Sequence, residues 1–262
     1  ILNCVFEDLL SYENSLGYAY QNQVYNKYYR LQAFRSIEGD PTSINDIFWA
    51  HACFSEDSTG PYHLQSIYWQ DIGGGIGGPP SLTSSIGISI NGSYTDCSFL
   101  RPECDFFEYG FWNNNSGAST IPSIDNHLIG GVFDQCSIGG VYFSGIIAQS
   151  IISVIDTYAV VNNTNPVANF WVEDSVGQIS FVNCQATARL GYTAIGLFVK
   201  DSKNVLTKNN MWCDMKRPIS LDNATNCVIE DSVYNSAITC TEAAVYLLNN
   251  SSRNVIRVQC GS

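Results

Sequence analysis

The chain alternates short apolar runs with short polar breaks. Runs of three to six residues rich in Val, Ile and Phe, such as those leading to Asp156 and Asn183, are separated by Asn, Asp, Ser and Gly. No window of 12 or more residues carries an apolar stripe at the helical period. The pattern therefore predicts short strands and turns along the whole chain, and no helices.

The strands also repeat. Four stretches superimpose: Trp171 to Asn183, Phe198 to Asn209, Ser220 to Asp231 and Leu247 to Gln259. Each reads apolar strand, Asp or Asn, small residue, polar turn, apolar strand, then Asn, Asp or Gln. The turn residues Asp174, Asp201, Asn223 and Asn250 fall 22 to 27 positions apart, one coil of a solenoid per step. Asn and Asp tolerate the left-handed backbone and cap their own turns, so each coil can turn its corner at the same place. Fainter copies end at Asp71, Asp96, Asp134 and Asp156. This alignment places Ile179, Val205, Val228 and Val255 as parallel neighbours in one sheet. It also stacks Glu173, Lys200, Asp222 and Asn249 in a column on the wall, with Glu173 and Asp222 about 9.6 Å apart across two coils. The intervening lysine makes an ion-pair ladder the better account of that column.

An LxxLxLxxN signature is missing, which excludes a leucine-rich horseshoe. The expected fold is all-β, a right-handed parallel β-helix forming one domain over residues 1–262. Coils in 1–125 are expected to carry long inserts, and those in 126–262 to be regular. The chain opens on Ile1 and reads as strand at once, as a piece of a longer protein would.

With 262 residues, 45 % of them apolar and 13 % aromatic, the chain can build a sizeable core. Only 12 Lys and Arg stand against 24 Asp and Glu, so the net charge of −12 repels phosphate backbones and anionic headgroups. Neither nucleic acid nor membrane is expected as a partner. The 10 cysteines include no CxxC pair and the histidines number only 3, so no metal site and no cofactor is expected. Cys97, Cys136, Cys184 and Cys260 recur at strand ends and read as free, buried, small apolar fillers. Gly73 to Gly78 reads as a flexible insert, because no Lys follows to make it a phosphate loop.

Candidate chemistry concentrates in Arg101-Pro-Glu-Cys-Asp-Phe-Phe-Glu-Tyr-Gly-Phe-Trp112, where three acids lie among aromatics beside an arginine. Strand alternation puts Glu103 and Asp105 on one face, and apolar surroundings would raise the pKa of one of them towards general-acid use. Glu103, Asp105 and Glu108 are the candidate catalytic acids. Arg101, Tyr109 and Trp112 are the candidate substrate-binding residues, since Tyr and Trp offer flat faces to the C–H faces of sugars.

The coil pattern with its Asn and Asp turns, over about residues 63 to 262, resembles the pectate-lyase-like β-helix superfamily, and within it the bacteriophage tailspikes and capsule depolymerases. The Asp clusters and catalytic Arg of a plant-cell-wall pectate lyase are not recognisable. The resemblance implies a receptor-binding protein of a virion tail that binds and depolymerises a bacterial surface polysaccharide and assembles as a homotrimer. Two alternatives stay open. One is a non-catalytic glycan-binding adhesin or structural β-helix. The other is a secreted monomeric polysaccharide lyase or hydrolase, which paired cysteines would favour.

Overall fold

The computed structural model describes residues 4–12, 18–21, 26–35, 54–58, 64–65, 68–76, 86–92, 94–115, 122–161, 167–188, 194–234 and 243–261. Its regular elements are all strands, and every strand pairing is parallel. Successive coils wind through three faces of a right-handed parallel β-helix. One coil illustrates the path. Strand Ile151–Ile155 lies on the first face, Tyr158–Val161 on the second and Ala168–Glu173 on the third. Gln178–Val182 then returns to the first face beside Ile151–Ile155.

The first corner of eight successive described coils is turned by one residue with positive φ. Asp8, Arg30, Asp71, Arg101, Gly130, Asp156, Asn183 and Asn209 follow one another there, with φ between 49 and 65°. The backbone explains the column. In this conformation the N–H of Asp71 points to Leu100 O at 2.9 Å, that of Arg101 to Ile129 O at 2.7 Å and that of Asp156 to Val182 O at 3.0 Å. Hydrogen bonding between coils thus continues through the corner. Asp and Asn suit this position, whereas Arg30 and Arg101 occupy it with compensation. Arg30 pairs with Glu7 and Asp8, and Arg101 makes a bidentate bridge to Asp71 at 2.7 and 2.9 Å.

A second corner device joins cysteine to asparagine. The backbone N–H groups of Cys97, Cys184 and Cys227 donate to the side-chain oxygens of Asn126, Asn210 and Asn254 on the following coil, at 3.1, 2.7 and 2.8 Å. The amide of each Asn donates in turn to a carbonyl of the preceding coil, Tyr94, Phe181 or Ala224. A small apolar thiol fits under such a clamp. Among the described residues, the cysteines at 136, 184, 213, 227 and 260 are free thiols, and Cys97, Cys104, Cys136, Cys184 and Cys227 are buried. Cys260 departs from expectation. It stands on the terminal described coil and is exposed.

Inside, side chains stack coil upon coil. Phe6, Tyr28, Trp69 and Phe99 form an internal aromatic column with centroid spacings of 5.0, 5.8 and 4.2 Å. Tyr28, Phe107 and Phe111 are therefore core residues, although their stretches read as inserts in the sequence. Gly73–Ile76, read as a flexible insert, is a strand on the second face. His51, His63 and the aromatics Tyr25, Phe48 and Trp49 lie outside the described residues.

The four aligned segments are indeed parallel neighbours in one sheet, but the register slips by one residue. Ile179 pairs with Val205, whereas Val228 pairs with Leu206 and Val255 with Val228. The turn from Asn223 has the same length as that from Asp201, so Cys227, not Val228, takes the buried place that Val205 fills one coil earlier. A similar slip moves the turn column. Asn249, not Asn250, has the positive φ that follows Asp174, Asp201 and Asn223, and Leu248 stands beside Asp222.

Candidate functional site

Strand Glu103–Asp105 lies on the second face between Gly73–Ile76 on the coil before and Val132–Cys136 on the coil after. Cys104 points inward and is buried, so Glu103 and Asp105 share the outer surface as alternation required. Asp134 stands in register with Asp105 on the next coil. Gly73 and Gly75 stand in register with Glu103 and Asp105 on the coil before. A β-bulge between Phe133 and Cys136, with Gln135 at φ 55°, interrupts pairing at Asp134, a feature common beside active sites.

Asp105 is the perturbed group. Burial, then the charges of Glu103 and Asp134, push its carboxyl up to about 6. One of its oxygens, Oδ1, is buried without a hydrogen-bond partner. Glu103 is exposed. Two residues of extended chain put its Cα about 6.6 Å from that of Asp105.

The other sequence candidates are placed differently. Arg101 sits at the first corner, its guanidinium engaged by Asp71. Glu108 lies past the second face, in the turn that leads to strand Tyr109–Asn114 on the third face. Burial and the charges of Glu108 and Glu173 push the Tyr109 hydroxyl up to about 12.

Tyr109 and Trp112 open an aromatic ladder on the outside of the third face, which the sequence alignment missed. Trp112, Tyr142, Trp171 and Phe198 are in register on four successive coils. Their ring centroids are 5.2, 4.0 and 6.3 Å apart, and Tyr109 folds against Trp112 at 4.8 Å. The rings stack along the helix axis, so most of their faces meet each other. Ser89 is the neighbour of Trp112 on the preceding coil. Beside it runs the polar column. The Tyr142 hydroxyl donates to Glu173 Oε2 at 2.8 Å, and Lys200 bridges to Glu173, as the ion-pair reading required. Asp222 follows Lys200 in register.

Asp134 also escaped the sequence reading, which grouped it with the turn residues Asp71, Asp96 and Asp156. Those three have positive φ and Asp134 does not. The signal was present in the match of Glu103-Cys104-Asp105 to Val132-Phe133-Asp134, each with an apolar residue pointing inward between two outward positions.

No family model matches the sequence, and no curated protein matches it. Comparison with solved structures establishes the class first: the fold is that of the parallel β-helix proteins. A particular relative in fold is a hyperthermoactive exopolygalacturonase from Thermotoga maritima, which superimposes with a TM-score of 0.51 at 12 % identity over 91 % of this chain. The chain spans 55 % of the length of that enzyme.

Proposed function

We propose that this β-helix is a polysaccharide depolymerase of the tailspike type, which binds and hydrolyses a bacterial surface polysaccharide. The observation that carries the reading is Asp105, a half-buried carboxyl pushed up to about 6 on an outward face, with an exposed carboxylate two residues away. A group so placed is protonated in mildly acidic medium and can act as general acid.

In this scheme the Asp105 proton passes to the glycosidic oxygen as the bond to the anomeric carbon breaks. Glu103 takes a proton from the water that adds to that carbon. Asp134 holds Asp105 in its protonated form by like charge. A lyase would need a cation beside its base, and Arg101 is already committed to Asp71. Three acids at the site disfavour a strongly anionic chain, so a neutral or weakly charged polysaccharide is the substrate class.

Tyr109 and Trp112 lie on the same coil as the acids and extend the sugar surface round the corner. The fold of the exopolygalacturonase, a sugar-polymer enzyme by name, is consistent with this reading. The free thiols of Cys136, Cys184, Cys213, Cys227 and Cys260 lend no support to a disulfide-bonded secreted monomer. The tailspike reading also implies a homotrimer on a virion tail, and a monomer in analytical ultracentrifugation would remove that part.

The test is incubation with purified capsular and O-antigen polysaccharides followed by mass spectrometry. Saturated shorter oligosaccharides are expected. Unsaturated ends would replace the hydrolase by a lyase, and intact polymer throughout would reject depolymerisation. Trp112→Ala should weaken polymer binding and spare turnover at saturation.

A further inference from the structure

The corner between the third and first faces carries a groove of about 520 Å³ that the carboxylate site does not use. Its floor includes Ile151, Val176 and Leu206, of which Ile151 and Val176 are exposed at 45 and 38 %. Its rim includes Gln178, Asn204 and Asn226. The pairings of Ile179 with Val205 and of Leu206 with Val228 set these three amides one per coil in a single outward column. Gly177 lines the groove where a Cβ would lie 2.6 Å from Ile147 O, so only glycine fits there.

The chemistry of this surface is specific. Asn204 uses its amide N–H on Val176 O at 2.9 Å. A side-chain amide offers both donors and an acceptor, as an array of sugar hydroxyls requires. Among the described residues, the lining includes no charged side chain. Coils repeat at about 4.8 Å, close to the length of one pyranose residue, so successive sugars of an extended chain would meet successive amides. The apolar floor offers surface to the C–H groups between the hydroxyls.

We infer that this groove is a non-catalytic binding site for a neutral glycan lying along the helix axis, one sugar residue per coil. The inference rests on the reading of the protein as polysaccharide-active, and it names a second place on the same molecule that holds the polymer. A site on a different face from the acids would keep the enzyme on its substrate between cleavages, as linked binding events do.

Affinity electrophoresis in gels cast with dextran, mannan, galactan or polygalacturonate tests it. The Asp105→Asn protein is used so that cleavage does not erode the gel. At least one neutral polymer should retard this protein. Adding Gln178→Ala and Asn226→Ala should weaken the retardation roughly tenfold, the loss of about two neutral hydrogen bonds. Both residues are surface groups on the rim, and an unchanged melting temperature checks that the variant folds. Retardation that survives the double change, retardation by polygalacturonate alone, or none by any polymer overturns the site. Oligosaccharide release by the unmodified protein reads the depolymerase activity separately, so either proposal can fail while the other stands.

Discussion

Asp105 ties stability to chemistry. Its folded carboxyl titrates near 6, above its ordinary 3.8, so the folded state holds this proton more tightly than the unfolded chain does. The favourable contribution is complete below about pH 3.8 and is lost as pH rises through about 6. Asp105→Asn should therefore raise the melting temperature at pH 7 to 8 and bring no such gain near pH 4, read by calorimetry at both values. If Asp105 is the general acid, kcat/KM of the unmodified protein should fall above about pH 6 as Asp105 loses its proton. Asp231 is the contrasting carboxylate. It is buried, and it accepts from Thr207 Oγ1 at 2.6 Å, Asn210 N and Nδ2 at 3.0 Å and Trp212 Nε1 at 3.1 Å. Burial raises its pKa and these donors oppose the rise. Its donors all come from the protein, so its role is structural. Asp231→Ala leaves several buried donors without an acceptor and should cost at least ~2 kcal/mol in denaturant unfolding.

At the scale of elements, the corner is the unit that a sequence reader sees and the register is what escapes. Asp174, Asp201 and Asn223 were legible because few side chains accept a left-handed turn. Asn249 was not, because Asn249 and Asn250 are adjacent and either could turn the chain. The slip at Val228 arose because a cysteine fills an apolar place, and a hydrophobic alignment pairs valine with valine. The candidate acids were half legible. Glu103 and Asp105 follow from alternation within one strand, whereas Asp134 depends on which coil lies next, a long-range fact. The third-face ladder was hidden for the same reason, since Trp112, Tyr142, Trp171 and Phe198 lie some 30 positions apart. Glu173 belongs to that ladder through Tyr142 and Lys200. Glu173→Gln should accordingly lower the melting temperature slightly and leave turnover within about twofold, since a half-exposed pair contributes ~1 kcal/mol or less. A hundredfold fall in turnover would instead move the active site to the third face.

For the whole molecule, a solenoid has no single centre: each coil rests on its neighbours, and stability accumulates along the stack. The cysteines fit this construction as fillers repeated at corners. Thiol titration of the denatured, unreduced protein should find most of the ten free, and a count near zero would contradict the corner account. Function must sit on the outer wall, where the acids of the second face, the ladder of the third and the groove at the last corner are held on one stack of coils. The central claim is that Asp105 supplies the proton that breaks a glycosidic bond. The direct measurement is kcat of Asp105→Asn against the unmodified protein, on a polysaccharide that the latter shortens, with both proteins shown to be folded. The account predicts a loss on the order of a hundredfold or more with polymer binding retained. Turnover equal to that of the unmodified protein would contradict it.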